Sequence, residues 1–201
     1  MRINVNHLIG AGCVWAITTC LAVSPYAATA SPAKCEAGAP TAASYKWDFQ
    51  KEADETFANI QADIEQARYH ASTLQSYKGE LSWDSHATQL MALRSEINDV
   101  GSKVCRLEAI RSALPDWQKA TIDRIVSTTR LMADSAQDAI VFGNTHRSTL
   151  WLPTYQHYVD NLYNQSTQLD NSVQEAVEYA HVSKESQDLR KDLGVKAVGG
   201  E

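Results

Sequence analysis

Apolar residues recur at alternating steps of three and four through four successive segments, and this pattern constrains the fold more than any other feature. Such spacing keeps the apolar side chains on one stripe of an α-helix. In the first segment the pattern is unbroken, and it comprises Ala53, Phe57, Ile60, Ile64, Ala67, Ala71 and Leu74. A helix with one apolar stripe has to bury it against another helix, so four such segments predict an all-α protein.

The other three segments carry comparable stripes. The second holds Trp83, His86, Leu90, Leu93, Ile97, Val100, Val104 and Leu107. The third is smaller and less regular, with Ile122, Ile125, Met132, Ala136, Ala139 and Ile140. The fourth holds Tyr155, Val159, Leu162, Leu169, Val173, Ala176 and Ala180, with Ser166 as a polar gap. One glycine, Gly101, lies inside the second segment, where it either marks a close contact or bend or is simply tolerated.

Local signals place the helix ends. Lys78-Gly79-Glu80 interrupts the first stripe, and Ser82 offers an N-cap for the second helix. Pro115 and Pro153 suit first helical turns, where a missing N–H costs nothing, and Gly143-Asn144 is interpreted as a stop. The predicted helices span about residues 42–77, 83–112, 115–143 and 153–192. Helices of about 30 residues with short connections predict an antiparallel up-down-up-down four-helix bundle.

Four tryptophans occur at nearly equal intervals along the chain, namely Trp47, Trp83, Trp117 and Trp151. A tetratricopeptide array has a similar period but contains two short helices per repeat, whereas one stripe fills each period here. The interval is therefore interpreted as one helix plus one turn. Each indole then lies near the start of its helix. The tryptophans either plug the ends of the core or form aromatic ligand platforms.

Residues 1–30 have the features of a secretory signal peptide. Arg2 precedes an apolar run from Leu8 to Val23, and Ala28-Thr29-Ala30 offers a cleavage site between small residues. A lipoprotein signal ending at Cys20 is the alternative, but the apolar run continues past that cysteine. We expect an exported protein, periplasmic or extracellular, whose mature chain has no transmembrane segment.

The predicted mature chain begins with an irregular strap, residues 31–41, and ends with a disordered tail, residues 195–201. It retains two cysteines, Cys35 in the strap and Cys105 near the end of the second helix. An oxidising compartment favours a disulfide between them, and closing a loop of this length is worth about 4 kcal/mol in chain-entropy models. The alternative is two separate thiols.

Charge and motifs narrow the classes of function. Loss of Arg2 with the signal would leave 17 basic and 24 acidic residues, a net charge of −7, which disfavours nucleic acid as a partner. No Gly-x-Ser-x-Gly and no Gly-rich phosphate loop occurs in the sequence. We therefore expect no catalytic residues, no enzymatic activity and no cofactor.

One end of the predicted bundle is rich in histidine and aromatic residues. His70, His86, His146 and His157 all map to the end formed by the 1–2 and 3–4 connections, where converging imidazoles would suit a divalent metal. The same end carries candidate ligand or partner contacts at Trp83, Trp151, Tyr155 and Tyr158. The simpler interpretation is a single core histidine, His86, with a hydrogen-bonded neighbour.

Several strings resemble those of uncharacterised secreted helical proteins of Gram-negative soil bacteria. They are Ser82-Trp83-Asp84-Ser85-His86, Asn98-Asp99-x-Gly101, Arg106-Leu107-Glu108-Ala109-Ile110-Arg111, Pro115-x-Trp117-Gln118 and Tyr158-Val159-Asp160-Asn161-Leu162-Tyr163. The resemblance covers about residues 44–194 and implies export and a helical fold without a known activity.

The sequence favours a non-catalytic bundle that binds an unknown protein or serves as an envelope component. The alternative is a periplasmic protein that binds a metal or small ligand. The oligomeric state stays open.

Overall fold

The structure is a computed structural model that describes residues 48–77 and 82–194. Over these residues it contains four α-helices, one 3-10 turn at Arg111–Ala113, and no strand. The helices are α1 (Phe49–Tyr77), α2 (Trp83–Ile110), α3 (Asp116–Thr145) and α4 (Pro153–Asp192). The prediction of an all-α fold is confirmed. The predicted signal peptide, the strap with Cys35, Trp47 and the tail at 195–201 lie outside the described residues.

The four helices form one bundle around a shared core. α1 packs against α2 and α4, and α3 packs against the same two helices. Every residue of the stripes predicted for α1 and α2 is buried. Two of the residues assigned to the other stripes, Ile140 and Ala180, are only partly buried. Ile140 follows the buried Ala139 and so turns about 100° away from it, and Ala180 lies where α4 leaves its neighbours.

Polar contacts join the helices along their edges. Glu52 near the start of α1 pairs with Arg106 near the end of α2, with an N–O distance of 2.5 Å. Lys103 of α2 pairs with Asp63 of α1 in the same way. Further along the same two helices, His70 Nδ1 lies 2.8 Å from Gln89 Oε1. The end of α1 therefore lies beside the start of α2.

The buried face of α3 contains more polar residues than the other helices bury. Its buried polar residues are Gln118, Thr121, Thr128, Thr129 and Ser135. Gln118 Nε2 donates to Asp54 Oδ1 at 2.8 Å and to the Gln50 carbonyl oxygen at 3.3 Å, which ties α3 to the first turns of α1. Burial of Asp54 raises the pKa of its carboxyl, although the bond from Gln118 opposes the rise. The weak stripe of α3 in the sequence thus reflects a core face that is partly hydrogen-bonded.

α4 is longer than the other helices. It has 40 residues, whereas α1, α2 and α3 have 29, 28 and 30. At 1.5 Å per residue α4 extends for about 60 Å and the others for about 45 Å or less. No described side chain after Ala176 is fully buried, so the last part of α4 projects beyond the core. No described helix is both long and apolar enough to cross a membrane.

Gly143 has a different role from the one that the sequence suggested. α3 continues through Gly143 and ends at Thr145, one residue beyond the predicted stop at Gly143-Asn144. A Cβ built on Gly143 would overlap the six-membered ring of Trp83, whose indole is buried against this glycine. The missing side chain therefore makes room for the ring. Gly101, by contrast, has no atom within 4 Å of a built Cβ, so it is a tolerated helix glycine.

These two glycines give a matched test of the packing. We expect Gly143→Ala to lower the free energy of unfolding by about 1–3 kcal/mol, because the new methyl group must displace a buried indole. Gly101→Ala should raise the same free energy by up to about 1 kcal/mol, because alanine is the better helix former. Urea denaturation measures both changes. In a Trp83→Leu background the cost of Gly143→Ala should largely disappear, and an unchanged cost there would contradict the packing argument.

Candidate functional site

One ring from each helix meets near the end of the bundle where α1 ends and α2 begins. These are Tyr77 of α1, His86 of α2, Phe142 of α3 and Tyr155 of α4, which together we call the His86 cluster. Ring centroids are 5.2 Å apart for Tyr77 and His86, 5.4 Å for His86 and Tyr155, and 6.0 Å for Phe142 and Tyr155. Such edge and offset contacts add to the stabilisation from area burial.

A buried hydrogen bond lies at the centre of the His86 cluster. His86 Nδ1 lies 2.9 Å from the Tyr155 hydroxyl oxygen, and both side chains are fully buried. Burial lowers the pKa of His86 and raises the pKa of Tyr155, so both groups are neutral near pH 7. We assign the Tyr155 hydroxyl as donor, which leaves the ring proton on Nε2 of His86. Nε2 is also buried and has no hydrogen-bond partner.

The His86–Tyr155 pair has no contact with solvent, and this limits the chemical roles it can have. A general base or metal ligand needs an approach for its substrate or ion, whereas neither side chain has exposed surface. The pair joins α2 to α4 inside the core and satisfies one polar atom on each side. The prediction that His86 is a core residue is confirmed.

The other three predicted metal ligands have separate partners. His70 is half-buried and bonds Gln89, while His157 is exposed with Nε2 3.2 Å from Asn161 Nδ2. His146 is exposed at the C-terminus of α3, where its ring stacks on Phe142 at 4.2 Å. Among residues 48–77 and 82–194, no group of three or more His, Cys, Asp or Glu side chains has an arrangement suited to a metal.

The predicted ligand or partner residues divide by exposure. Trp83 and Tyr155 are buried, and Tyr158 is half-buried with its ring 6.3 Å from that of Phe142. Trp151, however, has 63% of its surface exposed. The interpretation of the tryptophans as plugs therefore fits Trp83 and is wrong for Trp151. The neighbouring Leu150 takes the buried position instead, with 2% exposure.

The connection between α3 and α4, residues 146–152, holds Trp151 on an ordered turn. The Thr149 N–H donates to the His146 carbonyl at 2.9 Å, and the Leu152 N–H donates to the Thr149 carbonyl at 3.1 Å. Gln156 Nε2 of α4 donates to the Leu150 carbonyl at 2.9 Å. With Leu150 buried beneath it, this Trp151 turn displays the indole from a hydrogen-bonded base.

A polar groove lies next to the Trp151 turn, between α1 and α4. It is an open groove of about 750 Å³, lined by Ser72, Gln75, Ser76, Gln156 and Asp160. Gln75 Nε2 donates to Asp160 Oδ1 at 3.1 Å and so links the two helices. Gln156 both lines the groove and holds the turn, which connects the two features. Sequence reasoning missed the groove because its residues belong to two distant segments and form no motif.

The predicted disulfide concerns only one described residue. Cys105 lies half-buried on α2, and Cys35 lies outside the described residues, so the bond stays a prediction.

Comparison with protein-family models, curated proteins and solved structures finds no match to this chain. The assignment of function therefore depends on the geometry of the molecule itself.

The buried state of His86 makes stability depend on pH in a definite direction. Unfolded His86 takes up a proton near its ordinary pKa of about 6.5, whereas folded His86 does so only at lower pH. Between these two pKa values the unfolded chain binds more protons, so the free energy of unfolding should fall on acidification. The contribution of one group has a maximum slope of about 1.4 kcal/mol per pH unit.

Denaturation with urea at several pH values between 5 and 8 measures this slope. His86→Gln should remove it, because glutamine keeps a polar side chain without a titrating group. His157→Gln, at an exposed position, is the matched control. An identical pH profile for wild type and His86→Gln would show that His86 is not the group responsible.

Proposed function

We propose that this protein is an exported, non-catalytic helical bundle that acts by binding another protein in the periplasm or outside the cell. The proposed contact surface is the Trp151 turn with the adjoining polar groove. The observation that carries the proposal is the exposed Trp151 indole on a turn fixed by hydrogen bonds and by buried Leu150.

An exposed tryptophan can contribute a large part of the binding energy of an interface. Tryptophan is enriched among the residues that dominate binding energy at interfaces, since a large rigid ring gains much buried area for little lost entropy. The turn is already ordered, which lowers the entropic cost of docking. The groove beside it offers amide, hydroxyl and carboxylate groups for the polar rim of an interface.

Export and topology form part of the same proposal. We infer export from the signal-like character of residues 1–30 and from the resemblance to secreted helical proteins. We infer an antiparallel up-down-up-down course because connections of a few residues join consecutive helices. The contacts of Glu52 with Arg106 and of His70 with Gln89 support that course. The Cys35–Cys105 disulfide would tie the strap to α2 after export.

The alternative function, binding of a metal or small ligand at the His-rich end, has less support. His86 and Tyr155 are fully buried and bonded to each other, and the remaining three histidines have other neighbours. The alternative predicts that Zn²⁺, Cu²⁺ or Ni²⁺ raises the melting temperature by mass action. Our proposal predicts no such rise.

A site-specific crosslink tests the proposed surface. With a photo-crosslinking amino acid in place of Trp151, the full chain in its native host should capture a defined protein. The same amino acid in place of Leu131 should not, although that α3 side chain is also exposed. The captured protein, once purified, should bind Trp151→Ala at least tenfold more weakly than wild type. Met91→Ala, at an exposed position on α2, serves as the matched control.

Two outcomes would contradict the proposal. One is equal crosslinking from positions 151 and 131, which would indicate random encounter. The other is a purified partner whose affinity is unchanged by Trp151→Ala, since the indole would then lie outside the interface.

Intact mass spectrometry tests export and the disulfide together. The protein recovered from the host should have the mass of a chain that begins at Ser31. Its mass should increase by two hydrogen atoms per chain on reduction, and Cys105→Ser should abolish that shift. A chain that retains Met1 would contradict the signal peptide, and an unchanged mass on reduction would contradict the disulfide.

A further inference from the structure

The projecting end of α4 carries an apolar seam that stays largely exposed in the described structure. Residues 179–193, which we call the α4 extension, include Tyr179, Val182, Leu189 and Leu193. These four side chains are between 55% and 75% exposed. Together with Ser186 they follow steps of three, four, three and four residues, which is the heptad spacing of a coiled coil. Four large apolar side chains in that register form an exposed stripe that Ser186 interrupts at its centre.

This seam is distinct from the stripe that faces the core. The core stripe of α4 runs through Leu169, Val173 and Ala176, and its next positions are Ala180, Ser183 and Gln187. It therefore becomes polar where α4 leaves its neighbours. The seam occupies positions one residue earlier, so it lies about 100° around the helix. Packing among the described residues does not bury it.

The seam begins at the edge of the bundle. The ring of Tyr179 lies 4.8 Å from that of Trp117 in α3. From there to Leu193 the seam extends for about 21 Å at the helix rise. It lies far from the Trp151 turn, because the continuous helix from Pro153 to Tyr179 spans about 40 Å at the same rise. An interaction through the seam is therefore independent of the proposed binding through Trp151.

The charged residues that flank the seam indicate which kind of helix would pack against it. In a coiled coil, the residues beside the apolar positions, called g and e, face a partner helix. With Tyr179 and Ser186 at position a, the g residues are Glu178, Glu185 and Asp192, and the e residues are Ser183 and Arg190. In a parallel pair of identical helices each g residue faces the e residue five positions later on its partner. Glu185 then faces the partner's Arg190, twice by symmetry.

An antiparallel pair would have the opposite electrostatics. It brings g against g and e against e, so the acidic g residues would face one another. Within the described residues, neither Glu185 nor Arg190 makes an ion pair, and both side chains are exposed. Both are thus available for a partner chain.

We propose that two copies of this protein associate through their α4 extensions as a short parallel coiled coil. The apolar seam supplies the buried contact, and the Glu185 pairs with the partner's Arg190 set the direction. Ser186 at the central a position and the length of two heptads keep the association weak and reversible. The proposal assigns a function to an end of α4 that would otherwise expose large apolar side chains.

Sedimentation equilibrium of the full mature chain over a wide concentration range tests the proposal. Wild type should show a reversible monomer–dimer equilibrium, and Val182→Glu with Leu189→Glu should abolish the dimer. The matched control is His181→Glu with Gln187→Glu, which adds the same charge to the same helix at exposed positions outside the seam. It should associate like wild type. All four substituted positions have exposed side chains, so circular dichroism should show the fold unchanged.

Charge exchange tests the parallel direction. Glu185→Arg alone and Arg190→Glu alone should each weaken association by about tenfold, because each places like charges opposite one another twice. The two substitutions together should restore association. A chain that stays monomeric, or a dimer insensitive to the Val182 and Leu189 changes, would overturn the proposal. A dimer that depends on the seam but ignores the charge exchange would overturn the parallel arrangement.

Discussion

Burial of one apolar stripe per helix is the constraint on which the rest of the structure depends. An isolated helix of this composition gains little from its backbone hydrogen bonds, so its stability comes from packing against neighbours. α1 and α2 meet this condition in full, since every side chain of their stripes is removed from water. Alignment of the four stripes on one core determines where the connections lie. It also brings His86 and Tyr155 together inside the core and leaves the remaining side chains pointing outward.

The hydrogen bonds inside the core fix how the helices are positioned relative to one another. Apolar stripes tolerate rotation and sliding, whereas a buried hydrogen bond holds only when its two partners meet. The bond between His86 and Tyr155 fixes α2 against α4, and the bond from Gln118 to Asp54 fixes α3 against α1. These contacts lie near opposite ends of the molecule. Among the buried polar residues of α3, Gln118 bonds another helix, whereas Thr121 bonds the Trp117 carbonyl of its own helix.

The parts of this structure that sequence reasoning found are those governed by helical periodicity. Periodicity identifies which face of a helix is buried, so it placed His86 and the stripes of α1 and α2 correctly. It contains no information on which ring from one helix meets which backbone from another. Gly143 therefore resembled a helix stop, although its role is to admit Trp83. Likewise Leu150 and Trp151 are adjacent apolar residues in a loop, and only the three-dimensional course of the turn decides which of them is buried.

An exposed apolar side chain carries information about function only where an ordered turn or a repeated register distinguishes it from the rest of the surface. Scattered exposed residues such as Met91 need no explanation, because a single apolar side chain on a surface is ordinary. Trp151 differs because an ordered turn holds it out from the bundle, and the α4 extension differs because its apolar residues share one register. Packing among the described residues buries neither of these two features. One surface lies where α4 begins and the other where it ends, so the two proposed contacts would not overlap.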